Sequence, residues 1–230
     1  IIFPSLTALA ILLFSFLVDL LIKRPIELLI SYRTEMILKE TKAIKIAIAG
    51  SYGKTTMREI LKTVLAQGKR VAAPEENYNT PIGISRFVRK LKGDEEVLIF
   101  ELGEYYPGDI RYLCKMIKPD IGIITGINEA HLKRTGSLEK TISMIYELAD
   151  CIGDKPLYLN DESEHLLPGG IRYSRSGMED IKVIDPTSDL TGTSFSAILD
   201  NKEIRFKSKL LGLHQIGALV LSIYLAGKFG

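Results

Sequence analysis

Over residues 44–68 the chain changes its hydrophobic period, and that change confines it to a small set of folds. Residues 44–49, "IKIAIA", are apolar at every position but one, the pattern of a strand buried on both faces of a parallel sheet. Past a glycine-rich loop, Met57, Ile60, Leu61, Val64 and Leu65 recur at helical spacing on one face, and Gly68 stops the run. Further apolar runs at residues 97–100, 121–125 and 157–159 are interleaved with the helix-like stretches "GDIRYLCKMIK" and "SLEKTISMIYELAD". Such alternation predicts an α/β fold, a doubly wound, mostly parallel sheet. Residues 181–210 turn to short alternating segments, with "LDNKEIRF" reading as a hairpin around Asn201, so a small antiparallel subsheet is expected there. The stretch "HQIGALVLSIYLAGKFG" begins a last apolar helix.

The loop that joins the first strand to the first helix is Gly50-Ser51-Tyr52-Gly53-Lys54-Thr55-Thr56. Successive backbone N–H groups at a helix N-terminus favour an anion, Lys54 can reach outer phosphates, and the Thr55 hydroxyl can ligate Mg²⁺. Ile48 stands where a full eight-residue phosphate loop has its first glycine. A Gly-Lys-Thr triplet also arises by chance, so the flanking strand and helix carry the expectation of a nucleotide site. Glu101 closes "VLIFE" and so stands at the carboxyl edge of a strand, where an open α/β sheet holds its ligand. A carboxylate there can hold a phosphate-bound Mg²⁺; the alternative is a solvated glutamate at a strand end. "IGIITGINEAHL" repeats the design and brings Thr125, Gly126, Asn128 and His131 to the same rim. His131 is a second metal ligand, a phosphate contact, or an ordinary surface or packing residue.

Composition narrows the partners. Thirty Lys and Arg against 28 Asp and Glu give no basic field, so nucleic acid is not an expected partner. Cys114 and Cys151 lack metal-ligand spacing and read as buried thiols of a reducing compartment. Residues 1–22 carry a single charge, Asp19, and are followed at once by Lys23 and Arg24. This length and flank predict a transmembrane helix, a single pass of the inner (cytoplasmic) membrane with the remainder of the chain in the cytoplasm. A buried or interfacial helix is the alternative, since Pro4 and Asp19 shorten the clean apolar window. Residues 23–43 then form an amphipathic connector lying along the membrane surface, and residues 44–230 the nucleotide-binding domain.

In chain order, "GSYGKTT", "NYNTPIG" at residues 77–83, "ELGEYYPGDI" at 101–110, "PDIGIITGINEAHL" at 119–132, "GSLEKT", "LNDES" and "GLHQ" resemble the Mur ligase family, above all its MurF branch. The resemblance covers the chain from about Lys45 onward. It implies the P-loop central domain of an ATP-dependent amide ligase in peptidoglycan precursor synthesis, with ATP and Mg²⁺ as cofactors. Such an enzyme phosphorylates a carboxylate of a UDP-muramoyl-peptide-like substrate and lets an amino-acid or dipeptide amine attack the acyl phosphate. Carried over residue by residue, it implies catalytic roles for Lys54, Glu101 and His131, and metal ligation by Thr55, Glu101 and His131. Nucleotide contacts fall to Gly50, Ser51, Tyr52, Gly53, Lys54, Thr55, Thr56 and Asn128, and substrate contacts to Asn79 and Thr80.

The chain also departs from the family. Ile145 stands where family ligases carry a lysine that becomes carbamylated and bridges to a second metal, and Ala218 replaces an asparagine of the adenine site. The family's N-terminal UDP-sugar domain and C-terminal domain have no counterpart in these 230 residues. Two expectations follow: part of a longer membrane-anchored ligase, or a divergent nucleotide-binding scaffold or regulator that does not ligate.

Overall fold

The computed structural model describes residues 2–75, 78–129, 136–199 and 202–230. At its centre lies β1 (Ile44–Ala49), flanked on one side by β3 (Val97–Glu101) and the edge strand β2 (Val71–Ala72), and on the other by β4 (Ile121–Ile124), β5 (Leu157–Asn160) and β6 (Ile171–Tyr173). The order β2-β3-β1-β4-β5-β6 makes a six-stranded sheet in which every pairing is parallel. After β1 the chain winds outward to β2, returns through β3, and then crosses to β4 on the far side. That reversal beside β1 is a topological switch point, and the crevice of an open sheet lies at the carboxyl ends of the strands there.

Both faces of the sheet are covered, which is why β1 reads as a continuous apolar run. Ala47 and Ala49 point, with Leu98, Phe100 and Ile124, into a core shared with α4 (Pro81–Val88), α5 (Asp109–Ile117) and α6 (Leu138–Ile152). Ile46 and Ile48 point the other way, with Ile99 and Ile123, onto α3 (Lys54–Leu65) and α7 (Ile216–Phe229). That second core continues to Phe195 and Ala197 of a four-stranded antiparallel sheet, built from β7 (Gly177–Met178), β8 (Ile181–Asp189), β9 (Gly192–Leu199) and β10 (Lys202–Ser208) in the order β10-β9-β8-β7. Leu199 pairs with Lys202, so the expected hairpin forms, and Phe195 stacks on Phe206 with ring centroids 5.4 Å apart. Its tip, Asp200 and Asn201, lies outside the described residues. Cys114 is buried and Cys151 half-buried, both as free thiols. Burial is the main cause that raises the Cys114 pKa far above the usual thiol range.

The N-terminal expectation fails. Among the described residues no helix is long and apolar enough to cross a membrane. This overturns the single-pass anchor, the inner-membrane location and the membrane as a partner. The apolar helix α1 (Ile2–Val18) has 17 residues, about 25 Å at 1.5 Å per residue, against a hydrocarbon core of about 30 Å. A π-helical turn over Asp19–Lys23 follows it, where Asp19 pairs with Lys23 at 3.3 Å and Arg24 at 3.2 Å. The amphipathic stretch beyond is α2 (Arg24–Glu40), which packs on α4 and α5. Its buried Thr34 donates to Ser85 Oγ of α4 at 2.8 Å, and Glu35 pairs with Lys118 at 2.7 Å.

Candidate functional site

The register of the sheet assembles the site. Ile48 pairs with Glu101 and Ala49 with Ile124, so Gly50 and Thr125 leave the carboxyl edge level with each other, while Glu101 stands at the level of Ile48, two residues before the loop. Gly50 (φ 144°) and Gly53 (φ 81°) adopt backbone conformations that favour glycine, and Gly53 caps α3 from the left-handed region. The loop is tied across the crevice: Ser51 N donates to Gly126 O at 2.7 Å, and the Thr125 hydroxyl to Tyr52 O at 2.5 Å. Behind it, Asn160 Nδ2 donates to Thr125 O at 2.7 Å, and Ile127 N to Ser163 Oγ at 3.0 Å. The "LNDES" stretch thus braces residues 125–127 against the loop. Its polar side chains after a strand were the signal for that role, which sequence reasoning did not assign.

Four charged side chains meet at the start of α3. Lys54 Nζ donates to Gly50 O and to both carboxylate oxygens of Glu104, at 2.9 and 3.0 Å. The Thr55 hydroxyl donates to Glu101 Oε2 at 3.1 Å, while Arg58 Nη1 pairs with Glu101 Oε1 at 2.8 Å. Arg58 is only 4 % exposed and its other branch reaches Glu59 at 2.7 Å. Sequence reasoning named Lys54, Thr55 and Glu101, and the structure brings them together. It missed Glu104 and Arg58. The signal for Glu104 was a second carboxylate three residues past Glu101 in the same strand-end loop. Arg58 gave no such signal, since it follows the apolar Met57 in an otherwise ordinary amphipathic helix.

Beside the loop opens a cavity of about 370 Å³ lined by Tyr52, Gly53, Thr56, Asn160, Tyr173 and His214, among others. Ala218, on α7, forms part of its wall. Tyr173 is 2 % exposed, and among the described residues its buried hydroxyl finds no hydrogen-bond partner. Burial chiefly, with Tyr52 and Glu162 nearby, pushes its pKa far above the usual phenol range, so it stays neutral. A buried, neutral and unpaired hydroxyl in a cavity wall is costly unless a ligand meets it.

The remaining candidates are placed as follows. Asn79 and Thr80 sit at the head of α4: Thr80 Oγ1 accepts from Gly83 N at 3.3 Å as its cap, and Asn79 O accepts from Gly103 N at 3.0 Å. Asn128 is exposed at the rim, where its carbonyl accepts from Ser51 Oγ at 3.4 Å. Ile145, the position that the resemblance sets against the family's lysine, is wholly buried in the apolar core. His131 lies outside the described residues. Among the described residues no three His, Cys, Asp or Glu side chains gather into a metal cluster.

A glycine loop, lysine and threonine between a strand and a helix at the switch point of a parallel sheet define a phosphate-loop α/β domain. More particularly, the family model of the Mur ligase middle domain matches residues 48–226, and the chain belongs to the Mur ligase family. It is similar to the UDP-N-acetylmuramoyl-tripeptide--D-alanyl-D-alanine ligase of Bacillus subtilis, 28 % identical over 202 residues that cover 84 % of this chain and 43 % of the relative. The ligase of the same description from Borreliella burgdorferi is 34 % identical over 137 residues, 60 % of this chain and 29 % of that one. The fold matches MurF from Acinetobacter baumannii with a TM-score of 0.75 at 19 % identity, covering 88 % of this chain and 47 % of that one. It also matches MurF ligase from Thermotoga maritima in complex with ADP, with a TM-score of 0.69 at 22 % identity over 86 % of this chain and 49 % of that one. The chain therefore spans less than half the length of these relatives.

Proposed function

We propose that this chain is the ATP-binding domain of a MurF-like amide ligase, acting on a UDP-muramoyl-peptide-like carboxylate and an amino-acid or dipeptide amine. The observation that carries it is the meeting of Lys54, Thr55 and Glu101 at the switch point of a Mur ligase middle domain. In the reaction a carboxylate oxygen attacks the γ-phosphorus and ADP leaves; the amine then attacks the acyl carbon and phosphate leaves. The backbone N–H groups at the head of α3 and the Lys54 ammonium offset the charge of the phosphate oxygens. Ser51, Tyr52, Gly53 and Thr56 shape the loop around them. The cavity of Tyr173, His214 and Ala218 takes the nucleoside, where the unpaired Tyr173 hydroxyl gains a partner.

The donor set fits Mg²⁺. The Thr55 hydroxyl and Glu101 carboxylate are adjacent hard oxygens at the loop, the one or two protein ligands that Mg²⁺ takes alongside phosphates. When bound, Mg²⁺ supplies further neutralisation of phosphoryl charge. His131 keeps the metal-ligand role, and Asn79 and Thr80 the substrate contacts, that the family resemblance implies. The buried Ile145 favours a second reading, a domain that binds nucleotide without ligating, because an isoleucine forms no carbamate.

The test is ADP binding by the purified chain, together with ATP-dependent amide formation by the complete gene product. Lys54→Ala is expected to weaken ADP binding about 100-fold, the scale of losing a charge-assisted phosphate contact in a desolvated site. ATP consumption is expected to require both the muramoyl peptide and the amine. ADP binding without ligation of any muramoyl peptide supports the second reading, and no ADP binding at all defeats both.

A further inference from the structure

We propose that Glu104 sets what the phosphate loop accepts, competing with phosphate for Lys54 and so selecting metal-bound over metal-free nucleotide. The inference rests on the nucleotide-binding reading above. An ammonium has three protons to donate, and in this structure Gly50 O and both Glu104 oxygens take the Lys54 donors. The two side chains are only 13 % and 6 % exposed, so water screens the pair weakly. Phosphate oxygens reach the lysine only by taking donors from these acceptors, two of the three being Glu104 oxygens. A pair closed in about nine molecules of ten weakens apparent affinity about tenfold.

Charge decides which nucleotide wins. The loop region pairs Lys54 and Arg58 with Glu104, Glu101 and Glu59, so it presents no excess of positive charge. A metal-free polyphosphate arriving at Lys54 brings its full negative charge against Glu104 and Glu101. A divalent cation carried with the phosphates offsets that repulsion and leaves Glu104 as the displaced partner. Displacement travels along the chain, because the same loop is clamped to Asn79. Gly103 N donates to Asn79 O at 3.0 Å, and the Tyr105 hydroxyl to Asn79 Oδ1 at 3.3 Å. Asn79 thus registers whether Lys54 is held by Glu104 or by phosphate.

The experiment is calorimetric titration of ADP into the wild-type chain, Glu104→Gln and Glu104→Ala, each with Mg²⁺ and with EDTA. Glu104→Gln keeps the shape and removes the charge. It is expected to bind metal-free ADP about tenfold more tightly than the wild type, with a smaller gain in Mg²⁺. Hydrogen exchange on the wild type gives a readout independent of any variant's folding: amides of residues 102–106 are expected to exchange faster once Mg²⁺ and ADP are bound. Metal-free ADP binding by both variants that is no tighter than wild type overturns the proposal and leaves the nucleotide reading standing. So does unchanged exchange in residues 102–106, whereas no ADP binding by any of the proteins overturns both.

Discussion

At Gly50 the loop has no room for a side chain. An added Cβ collides with the Thr125 hydroxyl and the Gly126 carbonyl, and the φ of 144° strains any other residue. Gly50→Ala is expected to lower stability by about 1–3 kcal/mol and to weaken ADP binding by shifting the loop. Gly68→Ala, with nothing within 4 Å of its Cβ, is the control expected to change neither by more than about 0.5 kcal/mol. Paired urea unfolding curves and ADP titrations decide it. Equal loss in both variants would mean that the Thr125 contact does not constrain the loop. At this scale Lys54, Thr55 and Glu101 were legible because each sits inside or at the end of a local pattern. Glu104 was legible only as a second carboxylate past Glu101, since nothing local says that it turns toward a lysine 50 positions earlier.

The elements were legible in proportion to their length and period. β1, α3, α5 and α6 were expected close to where they lie, because each carries several turns or pleats of apolar residues. The eight-residue α4 was missed, although Thr80 as cap and Pro81 in its first turn were usable signals. The two-residue β2 and three-residue β6 are held by their neighbours and offer too few residues for any period. In α6, Ile145 faces the core with no exposure. Ile145→Ala is expected to cost about 2–5 kcal/mol in a urea unfolding curve, the cavity cost of a buried aliphatic side chain. A loss under about 0.5 kcal/mol would mean that the side chain is not packed as the structure has it.

For the whole molecule, the apolar N-terminus is the sharpest difference between expectation and structure. Its composition suited a membrane span, but α1 ends at Val18 and its large apolar side chains from Leu9 onward are exposed, apart from the core that α2 and the sheet build. Among the described residues the buried apolar clusters begin after the π-helical turn, at Leu38. Removing residues 1–18 is expected to move Tm by less than about 2 °C in a thermal melt. A larger fall would show that α1 supports the domain.

The amino-acid sequence by itself determined the local matter: a buried strand, a glycine loop that leads with lysine and threonine into an amphipathic helix, and two further strands ending in polar residues. These follow from periods and turn chemistry within a few neighbours, which operate before any distant contact forms. Only the tertiary structure decided that β3 and β4 flank β1, and so that Glu101, Glu104 and Thr125 surround the loop. Strand order is settled by pairing and burial between segments tens of residues apart. The partner of Lys54 is a property of that order, and of no stretch of the chain read alone.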